Sequence, residues 1–266
     1  LKPSSAYLLV SHGSRDPRPQ VAIDHLAKLV AQRLSRVGTS LAVSTAAQGT
    51  WINGLEHSIS PIPIGTAVLE LAPLPLHQQI QNFARAIAAQ GYTHLEIVPL
   101  FLLPGVHVME DIPQEVNLSQ SALPTDMTLE IRPYLGSHPH LKHLLINPLD
   151  PIATSPTAGK ILLAHGSRRP NGNQPVETIA TQLNAIPAYW SVSPSLETQL
   201  ARLIKQGYQQ IAILPYFLFE GGITDAITQE VHRFSQQYPY VQLQLGKPIG
   251  ATPALADLVV EMIGAE

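Results

Sequence analysis

The chain repeats itself. "LLVSHGSRDPR" runs from Leu8 to Arg18, and "ILLAHGSRRP" from Ile161 to Pro170, so the same His-Gly-Ser-Arg turn ends two apolar runs with its histidines 153 residues apart. Further blocks recur in the same order. "AQGYTHLEIVPLFLLPG" at 89–105 resembles "KQGYQQIAILPYFLFEG" at 205–221, and "EIRPYLGSHP" at 130–139 resembles "QLGKPIGATP" at 244–253. Matched blocks in order mean an internal duplication, and any fold must therefore accommodate two copies of one unit. The Pro-, Ser- and Thr-rich stretch "NPLDPIATSPTAG" marks the boundary. We read a first domain over 1–146, a linker over 147–159 and a second domain over 160–266.

Within each copy, apolar runs alternate with helical patterns. "YLLV" at 7–10 reads as a buried strand and 21–34 as a helix with Ile23, Leu26 and Val30 on one face. "AVLELA" at 67–72 reads as a second strand, carrying Glu70. Residues 75–91 form a helix with Pro75 near its start, Gly91 at its end and a stripe of Leu76, Ile80, Phe83, Ala84 and Ile87. Strands follow at 94–101 and 128–135, joined by a helix starting near His107. This β-α-β-α order predicts an α/β fold: two similar domains, each a parallel sheet of about four strands with helices on both faces. The segment 48–66 reads as a surface insertion.

The 266 residues suffice for two such cores, and 45% apolar content is ordinary for a globular protein. A net charge of −3 without long charged runs argues against a nucleic-acid or membrane-surface protein. The absence of cysteine excludes disulfides, thiolate metal sites and a Cys nucleophile. No apolar stretch approaches the roughly 20 residues of a membrane span.

Ligands of open parallel sheets bind at the carboxyl ends of the strands. In the first copy those ends carry His12, Glu70 and His107. In the second only His165, the counterpart of His12, remains; Ile223 or a neighbour stands where His107 does, and "AYWSV" offers no acid. The turn is thus partly structural, and the full polar set belongs to the first copy alone. The histidines in "HPHLKH" at 138–143 read as a solvated helix start after Gly136, and His25, His57, His77, His94 and His232 as surface residues.

"HGSRDPR", "LELA", "PLFLLPGVHVMEDIP" and the second "HGSR…PYFLF" together resemble the long, two-domain sirohydrochlorin chelatases of the class II chelatase family, over nearly the whole chain. The resemblance implies insertion of a divalent metal, Fe2+ or Co2+, into sirohydrochlorin on the way to sirohaem or cobalamin. The metal would be a substrate, with no tightly bound cofactor. It implies His12 and His107 as catalytic residues, with His12, Glu70 and His107 as metal contacts. Gly13, Ser14, Arg15 and Arg132, with Arg18, are expected to meet the carboxylates of the substrate, and Asp111 to support His107. Neutral imidazole suits both metals, and histidine accepts a proton near neutral pH. Two fused halves forming one pocket imply a monomer, working in the cytoplasm on a tetrapyrrole and a metal ion, without nucleic acid or membrane. A protoporphyrin ferrochelatase, or a carrier of tetrapyrrole or metal without turnover, are the competing readings.

Overall fold

The computed structural model describes residues 5–46, 62–123, 125–146 and 150–264, with the side chains of 36–46 left aside. The first half contains β1 (Ser5–Ser11), α1 (Arg18–Ala46), β2 (Ile64–Val68), α2 (Leu76–Ala88), β3 (His94–Pro99), α3 (Ile112–Gln120) and β4 (Thr128–Ile131). The second contains β5 (Gly159–Ala164), α4 (Gln174–Gln182), β6 (Ile186–Tyr189), α5 (Leu196–Lys205), β7 (Gln210–Tyr216), α6 (Gly222–Gln237), β8 (Gln242–Leu245) and α7 (Pro253–Gly264). Each half has a four-stranded parallel sheet, ordered β2-β1-β3-β4 and β6-β5-β7-β8.

Alternation along the strands divides the core. Ala6, Leu8 and Val10 of β1 face α2 and α3, where Leu76, Ile80, Ala84, Ile112 and Val116 meet them. Tyr7 and Leu9 face the other way, onto Ile23, Leu26, Val30 and Leu34 of α1. The second half repeats this, with Ile161 and Leu163 against α5 and α6, and Leu162 and Ala164 against α4. The two inner faces share one core. Tyr7 and Leu9 belong to the same buried cluster as Leu162, Ala164 and the α7 residues Leu255, Val259 and Ile263. Burying apolar area between the halves, at roughly 25 cal/mol per Å², makes them a single packed body. Ile152 and Ala153, from the stretch joining the sheets, are buried in that core as well.

Two expectations are corrected here. The second strand is Ile64–Val68, not 67–72. Its start is masked in the sequence by Gly65, where a Cβ would lie 2.7 Å from the Phe83 ring and 3.0 Å from Leu8. Only glycine lets α2 pack this closely, and a glycine breaks the apolar run by which a strand is recognised. Residues 64–66 of the expected insertion are therefore strand, and 48–61 lie outside the described residues.

Candidate active site at the strand ends

The chain leaves β1 in one direction for β2 and returns across it to β3, so the sheet order reverses beside β1. Open parallel sheets bind ligands at such a crevice. His12 directly follows β1 and His107 follows β3 through the Phe101–Val106 loop. Their rings meet edge to face, with centroids 4.7 Å apart and planes at 89°. Phe101 closes one side, its ring 6.3 Å from His12 and 6.1 Å from His107.

Glu70 joins them from the turn after β2. It is not on the strand, where the sequence reading put it, and it is not buried. Its side chain is half exposed, and Oε2 lies 3.9 Å from His12 Nδ1. The backbone fixes this approach, because the Glu70 N–H donates to the His12 carbonyl at 2.9 Å. Gly13 makes it sterically feasible: its φ is +100°, and a Cβ there would lie 2.0 Å from the Glu70 carbonyl oxygen. Leu71, the next residue, has φ 60° with its side chain exposed. A leucine in the left-handed region stores strain at this turn.

His107 opens a π-helical turn, His107–Asp111, ahead of α3. The second half explains it. The buried Ile112 lies seven positions after Gly105, whereas its counterpart Ile227 lies six after Gly221. The extra residue widens the turn, as single π turns do at functional sites. Asp111 lies 2.7 Å from Nδ1 of His107. An ionised carboxylate only accepts, so in the neutral ring Nδ1 carries the proton and Nε2 the lone pair.

The second half shows the same scaffold without the chemistry. The Ser191 N–H donates to the His165 carbonyl at 2.9 Å, as Glu70 does to His12, so Ser191 stands where Glu70 does. Gly166 repeats the positive φ, and the start of α6, Gly222-Ile223-Thr224, offers no histidine to match His107. Burial lowers the pKa of His165 below 6.5, and the nearby His12 lowers it further.

Reciprocal ion pairs span the cleft between the halves. Arg18 donates to Asp225 at 3.0 Å, and Arg169 to Glu110 at 3.0 Å. Allowing for the extra residue, Glu110 and Asp225 are equivalent positions, so each half offers an arginine to the other's acid.

The expected substrate-binding residues divide. Arg15 is exposed and, among the described residues, has no ion-pair partner. Ser14 is exposed, and its Oγ accepts from the Asp16 N–H at 3.0 Å. Arg18 is committed to Asp16 and Asp225. Arg132 is a correction. It is buried, lies 3.6 Å from Glu96 and 3.7 Å from Glu130, and donates to the Met262 carbonyl at 2.7 Å. Its guanidinium caps the carboxyl end of α7 and neutralises a buried acid, and does not face the cleft as a carboxylate binder would. His77, expected on the surface without partners, binds Glu115 at 2.9 Å, while His57 lies outside the described residues.

Comparison with known proteins bears on the family and the fold. The CbiX family model matches residues 37–151 and 159–266, both copies of the unit, with His12 ahead of the first span. The sirohydrochlorin ferrochelatase of Priestia megaterium is 28% identical over 205 residues, covering 73% of this chain and 74% of that protein. The sirohydrochlorin cobaltochelatase of the same organism is 24% identical over 268 residues, covering 96% and 77%. The structure of SirB from Bacillus subtilis with Fe3+ superposes with a TM-score of 0.73 at 24% identity, covering 97% of this chain and 95% of that one. It shows the same fold. Among the described residues, no helix is long and apolar enough to cross a membrane.

Proposed function

The chain belongs to the CbiX family, and we propose that it inserts a divalent metal, Fe2+ or Co2+, into sirohydrochlorin. The observation that carries this reading is the pair of imidazoles, 4.7 Å apart at the strand ends, with a carboxylate beside one of them.

Metallation requires a metal ion to shed water, sit beside the macrocycle and replace two pyrrole protons. His12, Glu70 and His107 offer two nitrogens and an oxygen, a set that fits both iron and cobalt. Three ligands hold an ion without enclosing it, so it can pass on to the macrocycle. In our reading the metal enters through Nε2 of His107, oriented by Asp111, and through His12 and Glu70. As the metal passes to the macrocycle nitrogens, an imidazole it has vacated accepts one of the two pyrrole protons, and water in the cleft carries off the other. Arg15, the Ser14 hydroxyl and the Gly13 N–H line the approach and suit a carboxylate-rich ring.

The halves work as one body, with the first half (1–146) carrying the chemistry and the second (160–266), joined by 147–159, closing the cleft. A monomer is then complete. The reading places the work in the cytoplasm, where Fe2+ stays reduced.

Anaerobic mixing with sirohydrochlorin and Fe2+, Co2+ or Ni2+, followed by visible absorption against protein-free controls, tests this. Accelerated metallation supports the reading and ranks the metals. Tight sirohydrochlorin binding with no acceleration would make the protein a carrier, and metallation of protoporphyrin alone would make it a ferrochelatase of the other kind.

A further inference from the structure

A second set of metal-ligating side chains converges where the two halves meet. His138 and His140 follow β4 in the first half, and Glu261 stands on α7 of the second. One carboxylate oxygen, Glu261 Oε2, lies 3.1 Å from His140 Nδ1 and 3.6 Å from His138 Nε2. The three ligand atoms all lie within 4.8 Å of one another. The His138 and His140 rings are edge to face at 5.3 Å, and His143 stacks on His140 at 5.7 Å. None of this was visible in "HPHLKH" alone, because the acid arrives from a helix more than a hundred residues away.

We propose that His138, His140 and Glu261 form a second divalent-cation site, which takes a first-row transition metal such as Zn2+ or Co2+ and ties α7 to the first half. With metal–ligand distances near 2.0–2.2 Å, donors around a tetrahedral ion sit about 3.3 Å apart. The two His–Glu separations bracket that value. The remaining pair closes by rotation of His140, whose side chain is 60% exposed, while His138 is 14% exposed and held in place by its surroundings. Two imidazoles with one carboxylate favour zinc, cobalt, nickel or ferrous iron over magnesium and calcium. The carboxylate supplies charge compensation, and a fourth position is left for water.

The site has a modest local cost. The His140 N–H donates to His138 Nδ1 at 3.3 Å, a long bond. Metal binding through Nε2 moves the proton to Nδ1 and gives that bond up. In exchange, the ion bridges two elements already joined nearby, since Arg132 caps α7 at Met262. An ion bound to the folded state alone raises the folding equilibrium constant about 100-fold at 100 times its dissociation constant.

The test uses the full chain with the double substitution His12→Ala and His107→Ala, which removes the cleft imidazoles. After dialysis against Co2+, this protein is expected to retain one ion per chain with visible Co2+ absorption. Adding Glu261→Gln or His140→Ala should lower that affinity at least tenfold. Both positions are exposed, circular dichroism checks folding, and the isosteric Glu261→Gln carries the test should His140→Ala unfold. The thermal midpoint of the unsubstituted protein should rise with Zn2+, and that of Glu261→Gln should not. Failure of the doubly substituted protein to retain Co2+, or retention unaffected by both Glu261→Gln and His140→Ala, overturns the proposal and leaves a plain His–Glu hydrogen-bonding cluster.

Discussion

His107 Nδ1 and Asp111 Oδ2 lie 2.7 Å apart across a single π-helical turn. The carboxylate fixes the tautomer that leaves Nε2 available. Replacing Asp111 with Asn keeps the shape but allows the ring to turn or change tautomer. The expected result is a loss of about 10–100-fold in metal affinity or turnover, with the thermal midpoint little changed. Titration of Co2+ into both proteins, read by absorption, measures it.

Gly13 tests the backbone crossing that brings Glu70 to His12. Gly13→Ala forces a Cβ into the Glu70 carbonyl at an already unfavourable φ. Strain of about 1–3 kcal/mol is expected, together with a loss of metallation as the Glu70 turn shifts. Gly91→Ala is the control: φ is +86° but nothing lies within 4 Å of its Cβ, so stability falls by about 1 kcal/mol and turnover per folded molecule is retained. Urea midpoints and initial rates on both variants separate the two effects.

Arg132 was expected at the substrate and stands instead at the seam. Arg132→Met leaves Glu96 buried without its counter-charge and α7 without its cap. A destabilisation of about 3–5 kcal/mol is expected, most of it recovered by adding Glu96→Gln. Metallation per folded molecule should stay within a few-fold of the unsubstituted rate. A selective loss of sirohydrochlorin affinity at unchanged stability would return Arg132 to the substrate.

This error shows where sequence reasoning ends. The repeat, the succession of strands and helices and the location of His12 and His107 at strand ends were legible because apolar runs and their breaks obey local rules. The partners of Arg132 were not, since Glu96 lies on the neighbouring strand and Met262 in the other half. Position near a strand end says nothing about which way a long side chain points. The same limit hid Glu261 beside His138. Glu70 was expected on a strand and is an exposed turn acid beside His12.

The pair between Arg18 and Asp225 gives a pH signature. Hydrogen bonding to Arg18 holds the carboxyls of Asp225 and Asp16 below their ordinary value of 3.8. Groups with depressed folded pKa values contribute stability above the unfolded pKa and lose it as pH falls through the folded value. Arg18→Gln should therefore lower the urea midpoint at about pH 6, and the difference should shrink as the pH falls below 3.8. Asp225 is exposed and Asp16 partly so, so the effect should also weaken with salt. Midpoints in both pH ranges, at low and high salt, check the sign.

The central claim is that duplication kept the fold twice and the chemistry once. The most direct measurement compares anaerobic metallation of sirohydrochlorin by His12→Ala and His165→Ala, equivalent positions in the two halves. The account predicts a loss of at least a hundredfold for His12→Ala and less than tenfold for His165→Ala. Equal losses, or a larger loss at His165, would contradict it.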